Sequence, residues 1–78
     1  MPTLLILNGN RYRFYSSDRG EPPHVHVVND GKKVKVWLRS LETENNQGYT
    51  AVELRRILKV VETHKAEWIG AFNEFFEV

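Results

Sequence analysis

Glu21-Pro22-Pro23-His24-Val25-His26-Val27-Val28 is the stretch on which the reading of this chain turns. Each proline fixes its own φ and presses the residue before it toward extended geometry, so Glu21 and Pro22 deliver the chain stiffly into a strand. Side chains alternate across a strand, which puts His24 and His26 on one face and Val25 and Val27 on the other. One face carries chemistry and the other belongs to a core. A polar loop over residues 16–20 leads into the prolines and is expected to sit beside the histidines.

The same alternation extends outward in both directions. Residues 3–7, Thr-Leu-Leu-Ile-Leu, read as a strand apolar on both faces, and Asn8-Gly9 is a typical tight-hairpin dipeptide. In the next strand Arg11, Arg13 and Tyr15 fall on one side, with Tyr12 and Phe14 facing the core. Past the turn at Asn29-Asp30-Gly31, Val34, Val36 and Leu38 point inward while Lys33, Lys35, Trp37 and Arg39 point outward. Residues 40–49, SLETENNQGY, hold no sustained period and read as a mobile loop that carries the chain off the sheet.

Thr50 and Glu53 have capping-box spacing, so a helix starts there. Its apolar stripe runs through Leu54, Ile57, Leu58, Val61, Trp68, Phe72 and Phe75 and is broken only around residues 63–65, which fits one long helix or two with a kink. Phe75 and Phe76 point about 100° apart, so one of them is a candidate partner contact or packs back on the first strand. Arg55 and Arg56 stand in the first turns, where the helix dipole disfavours cations; they either pair across the surface, as Glu53 with Arg56, or bind something. The expected fold is a single α+β domain over residues 1–78: a four-stranded antiparallel meander with a C-terminal helical segment packed on one face.

Composition narrows the class. A chain of 78 residues buries only about 60% of its unfolded surface, so its stability is modest and a dimer or partner would help. With no cysteine there is neither a disulfide framework nor a thiolate metal site, nothing points to secretion, and a cytoplasmic location is the default expectation. The five-residue apolar run near the start is too short for a signal peptide or a membrane span. The net charge of +1 hides a split: residues 11–39 carry Arg11, Arg13, Arg19, Lys32, Lys33, Lys35 and Arg39 against Asp18, Glu21 and Asp30, whereas glutamates outnumber cations from residue 40 onward. A basic first half hints at an anionic ligand there.

Phe14, Tyr15 and Ser16, the run from Pro22 to Val27, Trp37, the run Leu54-Arg55-Arg56-Ile57 and the last aromatics together resemble a small bacterial family of unknown function, family four-one-six-zero in the usual numbering. The resemblance covers nearly the whole chain. That family's genes often lie beside a second small gene, and the pair has been proposed as a type II toxin–antitoxin system with this family as toxin. The resemblance therefore implies a toxin-like role and a small antitoxin-like protein partner, and it implies no mechanism.

The outward sheet face collects Arg11, Arg13, Tyr15, His24, His26, Lys33, Lys35, Trp37 and Arg39. Cations neutralise phosphates and flat rings stack on bases, so Arg11, Arg13, Tyr15, Lys33, Lys35, Trp37 and Arg39 form a candidate RNA-binding set; the plain alternative is a solvated face whose charges prevent edge pairing. The histidine pair has three readings. As acid and base, His24 and His26 would serve a ribonuclease that needs no metal or other cofactor. As metal ligands they lack a third donor at a diagnostic spacing, with Asp18, Glu21, Asp30 and His64 the residues available. As structure they half-bury on the sheet and bond to neighbours. The leading expectation is a toxin-like protein acting on or binding RNA; the alternative is a non-enzymatic module that docks a small partner protein.

Overall fold

A computed structural model describes residues 3–15 and 18–76. Among the described residues five strands, β1 (Thr3–Leu7), β2 (Asn10–Arg13), β3 (His24–Asn29), β4 (Lys32–Trp37) and β5 (Thr43–Gln47), are followed by one helix, α1 (Ala51–Phe76). The strands form a single antiparallel sheet in chain order. Ser16, which belongs to the loop and to the motif, lies outside the described residues, as do Met1, Pro2, Ser17, Glu77 and Val78.

Two hairpins set the register that the alternation requires. Asn8 and Gly9 have φ of 53° and 81°, and Asp30 and Gly31 have φ of 43° and 90°, the paired left-handed geometry of a two-residue hairpin turn. These turns place Val25 opposite Val36 and Val27 opposite Val34 on one face, and His24 opposite Trp37 and His26 opposite Lys35 on the other. The expected division of the sheet into a valine face and a histidine face therefore holds. A one-residue slip would move every valine into solvent, which is why the register is firmly specified.

The sheet has five strands, not the four expected. Residues 43–47 pair with β4 as an edge strand whose side chains are all exposed. With neither face buried, nothing in the sequence selects apolar residues there, and the strand is held through its backbone. A register shift between Lys33 and Lys35 marks a bulge, and Asn45 takes a φ of 57°. Beyond it the Asn46 side chain accepts from the Tyr49 amide at 3.2 Å and donates to the Tyr49 carbonyl at 3.0 Å, turning the chain toward the helix.

The capping box forms as its spacing requires: the Thr50 hydroxyl accepts from the Glu53 amide at 3.2 Å, and the Glu53 carboxylate accepts from the Thr50 amide at 2.9 Å. From there α1 runs unbroken for 26 residues across the valine face. It buries Ile57, Val61, Trp68, Phe72 and Phe76 against Tyr12, Phe14, Val25, Val27, Val34, Val36 and Leu38. Phe76 continues the four-residue step from Trp68 and Phe72, while Phe75, expected in the stripe, is 41% exposed. Glu53 pairs with Lys32 at 2.8 Å rather than with Arg56. Among the described residues no helix is long and apolar enough to cross a membrane.

Tyr49 closes the core beside the start of α1 and donates its hydroxyl to Asn10 at 2.9 Å. Burial first, then the neighbouring Tyr12 and Glu53, push its phenol from 10.0 up to about 12. The folded state thus favours the protonated phenol: the stabilisation is complete below the unfolded value and disappears as pH climbs through the folded one. Tyr49→Phe is expected to lower stability by about 1 kcal/mol at neutral pH through loss of the hydrogen bond. It should also flatten the fall of the urea midpoint between pH 10.0 and about 12. An alkaline limb unchanged in the variant would assign that fall to other groups.

Candidate functional site

The histidine face is shaped by the loop that precedes β3. Asp18 turns back toward the sheet through two backbone bonds, its amide donating to the Tyr15 carbonyl at 3.0 Å and its carbonyl accepting from the Glu21 amide at 3.2 Å. Its carboxylate Oδ2 accepts from the Tyr15 amide at 2.9 Å. His26 Nε2 meets both carboxylate oxygens, Oδ1 at 3.0 Å and Oδ2 at 3.1 Å, and Oδ1 also stands 3.1 Å from His24 Nε2. Burial pushes the Asp18 carboxyl up, yet the Tyr15 amide, His26 and the electrostatic pull of His24 together hold it below the ordinary carboxylate range.

The double proline fixes His24 in a different way. Its Nδ1 stands 2.9 Å from the Pro22 carbonyl, which can only accept, so Nδ1 carries a proton. The ring is fully buried, with centroids 5.1 Å from Trp37, 5.1 Å from His26 and 5.6 Å from Phe72. His26, two residues on, keeps 23% of its side chain exposed and lies under the Tyr15 ring at 4.4 Å. Of the two imidazoles, His26 alone opens to solvent.

It opens onto a cleft of about 500 Å³ lined by Tyr15, Asp18, Glu21, His26, Val28, Lys33, Val34, Lys35 and Asn45. Lys35 donates to Glu21 at 2.7 Å, stands 3.9 Å from Glu44, and caps the Trp37 ring at 4.1 Å. The hydrogen bond from Lys35 holds the Glu21 carboxyl below its ordinary value. Lys33 is exposed and, among the described residues, is in no ion pair.

From the residues expected on this face, the fold gathers Tyr15, His26, Lys33 and Lys35 into the cleft. Arg13 lies on the same face with its guanidinium 5.2 Å from the Tyr15 ring. Trp37 packs on His24 under Lys35 and borders a different hollow, with Pro22, Pro23 and Arg39. Arg11 borders a separate hollow with Gly9, Asn29 and Asp30, and Arg39 lies past the end of β4 beside Pro22, Pro23 and Trp37. The sequence offered Asp18 and Glu21 only as possible metal donors without a diagnostic spacing, and it passed over Asn45, which lies on the edge strand where no periodicity marks orientation.

Three donor atoms, one each from Asp18, His24 and His26, lie within 4.8 Å of one another, which makes this trio able to hold a metal ion. Two other residues available as third donors stay away from it. Asp30 sits in the β3–β4 turn, and His64 is tied to the helix through its Nδ1, 2.8 Å from the Val60 carbonyl, with its ring stacked on Trp68 at 4.7 Å. Glu21 approaches to 3.9 Å of His24 Nε2.

No curated protein and no solved structure matches the chain significantly. A family model does match, over residues 9–73, a span that contains the whole histidine face, its loop and most of the helix. The chain therefore belongs to the family described as Domain of unknown function (DUF4160).

Proposed function

We propose that the protein is the toxin-like member of a bacterial type II toxin–antitoxin pair and acts on single-stranded RNA through the cleft beneath Tyr15. The observation that carries this reading is the Asp18–His26 pair opening onto a cleft lined by Lys33 and Lys35. A phosphate entering between the lysines meets an imidazole whose other nitrogen is held by a carboxylate, the arrangement that orients a histidine for proton transfer. Lys35 exchanges its bond to Glu21 for one to phosphate, and Lys33 needs no exchange. Tyr15 offers the flat surface nearest the cleft for a base.

The salt dependence of RNA affinity tests this reading. Each phosphate contact contributes about 0.7 to the slope of log affinity against log salt for a single strand. Lys33→Ala with Lys35→Ala is therefore expected to weaken binding of a single-stranded oligonucleotide and to lower the slope by about 1.4. An unchanged slope removes both lysines from the interface.

A second reading, docking of a small partner protein, is favoured by an apolar groove of about 460 Å³ on the opposite side. It is lined by Leu4, Phe14, Ala71, Glu74 and Phe75, beside the edge strand β1, on which Ile6 is 63% exposed. The two surfaces are distinct, so one molecule can use the cleft for RNA and the groove for its partner.

A further inference from the structure

We infer that Asp18, His24 and His26 form a binding site for a first-row divalent transition cation, with zinc the ion best suited to two imidazoles and one carboxylate. The inference stands on side-chain geometry and does not depend on the RNA reading.

The central observation is His24 Nε2. This atom is buried in a ring with no exposure, and among the described residues no group hydrogen-bonds to it. Because Nδ1 donates to Pro22, the neutral ring presents a lone pair at Nε2. Asp18 Oδ1, another acceptor, lies 3.1 Å away, close enough for a hydrogen bond but not aligned for one. Two acceptors side by side in a buried place repel unless a cation, either a proton on Nε2 or a metal ion, stands where both point.

The distances suit such a cation. A tetrahedral ion with bonds of about 2.0–2.1 Å separates its donor atoms by roughly 3.3 Å. Oδ1 of Asp18 lies 3.1 Å from one Nε2 and 3.0 Å from the other, and the two Nε2 atoms lie within 4.8 Å of each other. The supporting shell is that of a metal site: the Pro22 carbonyl holds the far nitrogen of His24, and the Tyr15 amide holds the second oxygen of Asp18. Such partners fix the tautomer and the direction of each ligand. In the metal-bound site the bond from His26 to Asp18 is replaced by two bonds to the ion, and the His26 proton moves to Nδ1.

Three protein ligands leave a fourth position, and here it faces the cleft. Asp18 and His26 both line that cleft, and Glu21 stands 3.9 Å from His24 Nε2, held by Lys35. A three-ligand site open on one side is the catalytic type, in which water or a substrate oxygen takes the last position. Glu21 is placed to accept a proton from that water.

Isothermal titration of chelator-treated protein with Zn²⁺ alone, paired with Co²⁺ as an optical probe, tests the inference. The expected result is one ion per chain, visible Co²⁺ bands typical of low coordination number, and a rise in Tm on the order of 10 °C at Zn²⁺ about one hundred times Kd. Asp18→Asn and His26→Gln should each weaken binding by about a hundredfold or more, while His64→Ala, on the helix, should leave it unchanged. Asp18→Asn keeps the shape of the side chain, and circular dichroism of each variant separates lost ligation from lost folding. Absence of binding to the wild type, or binding that persists undiminished in folded Asp18→Asn and His26→Gln, overturns the site. Because no RNA enters this experiment, its outcome is independent of the proposed function.

Discussion

Trp68→Ala is expected to bring the domain to the edge of unfolding. The indole is 2% exposed, its ring lies 5.4 Å from Tyr12 on the sheet, and His64 stacks on its other side at 4.7 Å. Truncating a buried tryptophan costs about 3–5 kcal/mol through lost transfer energy and the cavity left behind. A domain of this size has a total stability of roughly 4–12 kcal/mol at about 0.05–0.15 kcal/mol per residue. The loss is therefore a large part of the whole. Urea unfolding followed by circular dichroism should show the midpoint falling to low denaturant with the slope unchanged. A midpoint near that of the wild type would mean that α1 is held to the sheet mainly by its other anchors, Ile57, Val61, Phe72 and Phe76.

The two histidines should separate stability from activity. His24 is enclosed by Trp37, His26 and Phe72, and its Nδ1 proton goes to Pro22. His24→Ala opens a cavity and leaves that carbonyl without its donor, so a loss of about 2–3 kcal/mol and a Tm lower by about 10 °C are expected. His26 sits at the mouth of the cleft, where glutamine can still donate to Asp18. With chelator present, His26→Gln should leave Tm within a few degrees of the wild type. Under the proposed function it should abolish growth arrest on expression, because a lost general acid or base lowers a rate by about 10²–10⁴-fold. Growth curves, total RNA integrity and melting of both variants check the separation. Growth arrest by His26→Gln equal to that of the wild type would place the chemistry away from this imidazole.

The sheet was legible wherever one face is buried, since Tyr12 with Phe14, Val25 with Val27 and Val34 with Val36 each impose a period of two, and the glycine turns fix their pairing. It became illegible at residues 43–47, because an edge strand with both faces in water leaves no hydrophobic period to find. The helix start was legible from Thr50 and Glu53, which satisfy each other locally. The last member of its apolar stripe was misread, Phe75 for Phe76, because the two are chemically equal and only the sheet decides which one it covers. At the candidate site the strand residues His26, Lys33 and Lys35 were placed by alternation. Asp18 was not, since its position depends on a loop whose direction is set by backbone bonds to Tyr15 and Glu21. A carboxylate six residues before a His-x-His strand, with two prolines between, is the signal such a site leaves in a sequence.

Chemical-shift mapping with a short single-stranded RNA tests the central claim, that the cleft beneath Tyr15 is the contact surface, most directly. Amide and side-chain signals of Tyr15, Asp18, His26, Lys33 and Lys35 should move together on titration at low salt and return as salt is raised. Signals of Leu4, Ala71 and Phe75, across the domain, should stay in place. Movement confined to the Leu4–Phe75 groove, or no movement anywhere at low salt, would contradict the account.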